Sequence, residues 1–236
     1  MRDSPELYPV ILRVLVGSQA HGVADESSDF DYREVFVIPT THLLQVPKAA
    51  RPKMAWATEH RATDDEGGWE IEPFLEMCMR GHPNAIELLR GPVESATPDG
   101  EALRDLMPLL LSRRAVCESH LGYAKNARHK LLDKEQIARN PKWAATYLRV
   151  LWQGVHLVET GELVVSLIRT DIHETVRAAR GGYLPPYEVL ALSDPWERAL
   201  VEARTDASKS PLREQPDVNA VNAWLFDVRR RTWEAP

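Results

Sequence analysis

Only two cysteines, Cys78 and Cys117, occur in 236 residues, too few for a disulfide framework or a cysteine-rich zinc site. They read as small core hydrophobes with reduced thiols, which predicts a cytoplasmic protein. No apolar run reaches the ~18–20 residues that cross a bilayer, so no membrane partner is expected. The longest early run, Val10 to Val16, is interrupted by Arg13. The opening residues, with Asp3, Pro5 and Glu6, lack the pattern of a signal peptide. Gly-x₄-Gly-Lys-Ser/Thr and Gly-x-Gly-x-x-Gly are both missing, which excludes the usual nucleotide cradles. Internal repeats and low-complexity tracts are missing too.

What is present suits a globular protein: 44% hydrophobic residues, 27% charged residues and a net charge of −6. The length allows one large domain or two modest ones. Charge is unevenly spread. Residues 1–110 carry 10 Lys/Arg against 19 Asp/Glu, a net −9, whereas residues 111–180 carry 12 against 7, a net +5. An acidic front and a basic middle can divide the binding of cations and of polyphosphate between them, although chance clustering of surface charge explains the split equally well.

The run Val10-Ile-Leu-Arg-Val-Leu-Val16 is β-branched and nearly all apolar, the pattern of a strand buried on both faces. It stops at Gly17-Ser18. Ten residues, Gln19 to Ser28, lead to a second strand over 30–38 that ends at Pro39. An edge strand is possible near Met54 to Thr58; Trp69 to Glu72 alternates like a strand, and 74–80 and 85–90 read as helices. From Leu103 onward the pattern is helical, with helices expected over 101–111, 113–130, 142–160, 171–180, 186–204 and 217–232. The fold class expected is therefore a mixed α/β (α+β) lobe over residues 1–108 followed by an all-α helical lobe over 109–236.

Asp29-Phe30-Asp31 opens the second strand. Side chains two apart on a strand share a face, so the two carboxylates are expected side by side, where a cation relieves their repulsion. Mg²⁺ suits such a pair because it takes oxygen ligands and completes its shell with water and phosphate. Alone, Asp-x-Asp is often turn chemistry. Here a glycine that lets backbone approach a ligand, and a serine that can cap a helix or donate to phosphate, directly follow the preceding strand. Arg33 would share the face of Asp31, near enough to pair with it or with a phosphate. His21 and Gly22 lie in the intervening loop, where the imidazole either donates to phosphate or holds the loop together.

Gly17-Ser18-Gln-Ala-His21-Gly22 followed by Ser28-Asp29-Phe-Asp31-Tyr-Arg33 resembles the signature of the DNA-polymerase-β nucleotidyltransferase superfamily. More narrowly, the chain resembles the nucleotidyltransferases assigned to an RNA-repair pathway, with further likeness at Trp69 to Leu75, Asn84 to Leu89, Lys142 to Arg149, Thr160 to Leu163 and Ser210 to Leu212. The resemblance implies a nucleotidyltransferase lobe, two divalent metal ions (Mg²⁺ or Mn²⁺) held by three carboxylates, and an NTP substrate. Asp29 and Asp31 map onto the first two carboxylates. For the third, Glu70 is the first candidate because Trp69-Glu70-Ile71 resembles the family's aromatic-Glu-aliphatic strand. Glu72 follows, then Asp64-Asp65-Glu66. The sequence departs from the family at Pro73, where a basic residue is expected, and at Thr146, where a histidine is expected.

In the second half, Lys142, Thr146, Arg149, Gln153 and His156 fall along one helix stripe, and Ala144, Leu148, Leu151, Val155 and Val158 follow the opposite one. Lys142 and Arg149, two turns apart, can clasp a triphosphate or an RNA backbone; an ordinary amphipathic helix has the same pattern. A second basic cluster, Lys125, Arg128, His129 and Lys130, ends the preceding helix, where the helix dipole alone favours cations. The expected activity is transfer of a nucleoside monophosphate from an NTP to an acceptor hydroxyl, with an RNA or tRNA end as acceptor. Alternatives are a small-molecule or protein acceptor, or a nucleotide-binding module without turnover.

Overall fold

The computed structural model describes residues 8–26, 28–47, 52–57, 66–133, 135 and 140–234. Strand β1, Val10–Val16, follows the apolar run and takes an interior position in the sheet because its residues can be buried on one face and half-buried on the other. It pairs antiparallel with β2, Asp31–Phe36, and with β5, Val93–Ala96. Strand β2 pairs in parallel with β4, Glu66–Glu70, which in turn pairs antiparallel with the edge strand β3, Ala55–Ala57. The order across the sheet is β3-β4-β2-β1-β5. Strand β5 gave no signal in the sequence because all four of its residues, Val-Glu-Ser-Ala, are exposed and show no alternation.

Register sorts the sheet's side chains. Leu12, Val14 and Val35 are fully buried on one face, which Asp31 and Arg33 share at its open end. The opposite face carries Arg13, Tyr32, Glu34 and Glu66. There Arg13 bonds both glutamates and lies 4.4 Å above the Tyr32 ring, so a charge placed inside an apolar run is neutralised across strands.

Helix α1 is the short turn Gly17–His21, and α2 covers Thr40–Leu43. Helix α3, Ile71–Met79, begins directly after β4, three residues before the expected start. The cause is Glu70, whose carboxylate accepts the Glu72 N–H at 2.7 Å and caps the first turn, cutting short the strand read over Trp69 to Glu72. Helix α4, Pro83–Ile86, runs into a 3₁₀ turn, Glu87–Leu89. Helices α5, Pro98–Asp105, and α6, Met107–Leu110, share the stretch read as one helix, the second starting on a proline-containing turn.

The back half is helical, with α7, Arg113–Leu131, α8, Asn140–Thr160, α9, His173–Arg180, α10, Pro186–Thr205, and α11, Val218–Arg231. Helix α8 differs from the amphipathic expectation. Its polar stripe is inside at the middle: Arg149 and Gln153 are buried like Ala144, Leu148, Leu151 and Val158 of the apolar stripe, whereas Lys142 is exposed and Thr146 and His156 are half-buried. It is the central helix, flanked by α7, α9 and α10. A Cβ at Gly154 would lie 2.8 Å from the His120 ring, so the glycine permits the close passage of α7 across α8. One continuous apolar cluster runs from Ile11 in β1 to Val228 in α11, so the sheet and the helices share a core. Among the described residues no helix is long and apolar enough to cross a membrane.

Candidate active site

The end of β1 and the start of β2 meet. Val16 is the register partner of Asp31, and the chain then turns through Gly17 at φ 70°. A Cβ built on Gly17 would sit 2.2 Å from Asp31 Oδ2, so the carboxylate lies directly over the glycine backbone and only glycine leaves it room. Ser18 follows at the start of α1 and is half-buried. Asp29 and Phe30 precede the strand and are exposed, Phe30 at 50%. Arg33 takes Asp31's face one step on, opposite Val14, and donates to the Tyr32 carbonyl at 2.8 Å. Ser28 belongs to the turn that delivers the acids. Its hydroxyl donates to Asp25 Oδ1 at 3.1 Å and accepts the Asp25 N–H at 3.0 Å, while Gln19 Nε2 donates to its carbonyl at 3.1 Å. The structure thus assembles Gly17, Ser18, Ser28, Asp31 and Arg33 around one corner.

Glu70 is not there. In the parallel register it stands abreast of Phe36, five residues along β2 from Asp31 or roughly 16 Å at the usual strand rise, and on the opposite face. It is fully buried, and besides capping α3 it pairs with Arg229 of α11 at 2.6 Å. Arg229 also donates to the Ile38 carbonyl at 3.1 Å, and the Thr40 hydroxyl donates to the Arg229 carbonyl at 2.9 Å. Glu70 is therefore the anchor for the last helix, which corrects its reading as a third metal carboxylate. Glu72, exposed on α3 and 3.6 Å from Arg229, lies at the same distant end. Of the third option, Glu66 starts β4 beside Tyr32 and bonds Arg13; Asp64 and Asp65 lie outside the described residues.

His21 and Arg149 are turned to another purpose. His21 Nε2 lies 3.0 Å from Glu87 Oε1, Arg149 bonds the same oxygen, and Arg149 donates to Gln153 Oε1 at 2.7 Å. Gln153 passes the chain on by donating to the Val164 carbonyl at 2.7 Å. All of these side chains are buried, so the group is a neutralised knot tying α1 to α8 rather than a phosphate clasp. Burial pushes the Glu87 carboxyl up, but Arg149 and His21 together overcome it and hold it down to about 2. Burial and the Arg149 charge push the His21 imidazole below its ordinary value, so it is neutral at pH 7. Glu87 had no place among the sequence candidates because a lone acid in an apolar helical stretch has no signature until its partners are known.

Lys142 is exposed on the first turn of α8. In the neighbouring cluster, Lys130 stacks on Trp143 with Nζ 4.0 Å from the ring centre, and Arg128 lies 3.9 Å from Glu197, contacts that hold the end of α7. Among the described residues no three His, Cys, Asp or Glu side chains converge to hold a metal ion. The donors at the corner are nonetheless all oxygen: the carboxylate of Asp31 against a glycine backbone, a serine hydroxyl, and Asp29 two residues away. That donor set fits a hard divalent cation such as Mg²⁺.

A mixed sheet whose Gly-Ser corner faces an Asp-x-Asp strand, backed by a helical half, is of the polymerase-β type. The chain belongs to the RNA repair pathway DNA polymerase beta family, RlaP, whose sequence model matches residues 3–227. No curated protein matches it significantly. A solved structure described as a nucleotidyltransferase-like protein from Exiguobacterium sibiricum 255-15 is similar at 13% identity, over 94% of this chain and 74% of that one, with a TM-score of 0.29.

Proposed function

We propose that this protein is a metal-dependent nucleotidyltransferase that moves a nucleoside monophosphate from an NTP to an acceptor hydroxyl, releasing pyrophosphate, with an RNA or tRNA end as the acceptor. The observation that carries this reading is the Asp31 carboxylate lying over Gly17 beside Ser18, in a member of an RNA-repair polymerase-β family. Asp29 and Asp31 would hold Mg²⁺ or Mn²⁺, which when bound supplies charge neutralisation for the leaving pyrophosphate and for the attacking oxygen. Gly17 admits the triphosphate close to the backbone. Ser18 donates its hydroxyl to a phosphate oxygen, and Arg33 adds a positive charge on the face of Asp31. Transfer forms the bond between acceptor oxygen and α-phosphorus and breaks the bond between α-phosphorus and the bridging oxygen, the hydroxyl proton being released. His21, Glu87 and Arg149 fix the corner without touching the nucleotide. The net +5 of residues 111–180 suits a polyanionic acceptor, and Lys142 is an exposed contributor to it on α8.

The test is incubation with each α-labelled NTP, Mg²⁺ or Mn²⁺ and total RNA, comparing wild type with the double variant Asp29→Ala/Asp31→Ala. Label on RNA that depends on both carboxylates supports the proposal. Equal labelling by the double variant ends it, and label found on a small molecule or on protein replaces the acceptor. Asp64→Ala, Asp65→Ala and Glu66→Ala in the same assay identify the third carboxylate.

A further inference from the structure

We infer that Arg169 binds the triphosphate of the incoming nucleotide at the Gly17–Gly22 corner, an inference that rests on the nucleotidyl-transfer reading above. Arg169 is the third residue of the turn Leu167–Thr170, closed by the Thr170 N–H donating to the Leu167 carbonyl at 2.9 Å and by the Thr170 hydroxyl donating to the same oxygen at 2.6 Å. Its φ is 70°, the one positive φ outside glycine among the described residues. That position of a turn ordinarily takes glycine or asparagine, because a Cβ in the left-handed region crowds the following carbonyl. A strained arginine persists only where its surroundings fix it, and such strain gathers at ligand sites.

The turn is fixed to the corner itself. The Leu167 N–H donates to the His21 carbonyl at 3.0 Å, His173 Nε2 donates to the Gly22 carbonyl at 2.8 Å, and Ile168 packs so tightly that a Cβ on Gly22 would lie 2.4 Å from its Cγ1. Helix α1 separates these contacts from Ser18 by only about 5–6 Å of helix rise. Fold stability does not explain the choice of arginine. The side chain is exposed, and no acid or hydrogen-bond partner engages it among the described residues, whereas Arg177 and Arg180 nearby face Glu174 at 3.6 Å and Asp25 at 4.0 Å. An unpaired guanidinium held in a costly conformation beside a triphosphate corner is suited to bidentate capture of phosphate oxygens.

Arg169→Gly removes both the charge and the strain, and Arg169→Gln removes the charge alone. Both are expected to raise the KM for the NTP about tenfold, the loss of one charge-assisted contact, with little change in kcat or in the acceptor's KM. Only Arg169→Gly is expected to raise Tm. An unchanged NTP KM in both variants, or an effect confined to the acceptor's KM, overturns the inference while leaving the transfer reading intact. A wild type without affinity for any NTP overturns both.

Discussion

The two ends of strand β2 hold acids in opposite ways. At its start, Asp31 lies against bare glycine backbone with an exposed Asp29 just before it. At its far end, Glu70 is fully enclosed, caps a helix and is matched by Arg229. Both are carboxylates beside a strand, and both fit an acidic metal-site pattern. What separates them is environment. A buried acid answered by its own guanidinium and by backbone N–H groups is committed to the fold, whereas the acids at the start of β2 are half-buried or exposed and lie beside the glycine-serine turn.

The largest effect that can break this comparison is on catalysis. Asp29→Ala/Asp31→Ala is expected to lower nucleotidyl transfer by about 10³-fold or more while Tm stays close to wild type, measured by labelled-NMP incorporation and thermal unfolding. Glu70→Ala is expected to do the reverse. Stranding Arg229 costs about 3–5 kcal/mol in denaturant unfolding, with transfer per folded molecule preserved. A stable Glu70→Ala protein without activity would return Glu70 to the metal site. Gly17→Ala is intermediate: its methyl meets Asp31 Oδ2 and its backbone is left-handed, so stability falls by about 1–2 kcal/mol and the rate of transfer drops as well.

The smallest effect sharpens the picture of the knot behind the corner. The Glu87 carboxyl is held at about 2, below its ordinary 4.5, so it contributes stability that is fully present above pH 4.5 and fades as pH falls toward 2. Glu87→Gln is expected to be less stable at pH 7 and to show a flatter stability profile between pH 4.5 and 2, checked by urea unfolding at a series of pH values. A wild-type profile that is already flat in that window would remove Glu87 from the ionised state assigned to it.

Much of this could be read from local pattern. The β1 run, the Gly17-Ser18 break, the start of β2 and helices α7 to α11 fall within a few residues of where periodicity and capping put them, because each of those signals is local. Strand register is not local. Nothing in Trp69-Glu70-Ile71 says that β4 runs parallel to β2 with Glu70 beside Phe36, and that single pairing moves the acid to the wrong end and the wrong face. The same holds for α8. Its polar stripe looked wet because Arg149 and Gln153 are polar, yet Glu87 and the Val164 carbonyl, distant in sequence, make them interior residues. Arg169 has no signature in the sequence for a related reason, since a left-handed arginine leaves no mark on composition or spacing.

The knot of His21, Glu87, Arg149 and Gln153 also limits how the enzyme can breathe. Swinging the helical half away from the sheet here would leave an anion and a cation facing hydrocarbon without their mates, so the corner and α8 travel as one body. The turn that starts at Gly17 is thereby held to the helical half through His21, its last helical residue.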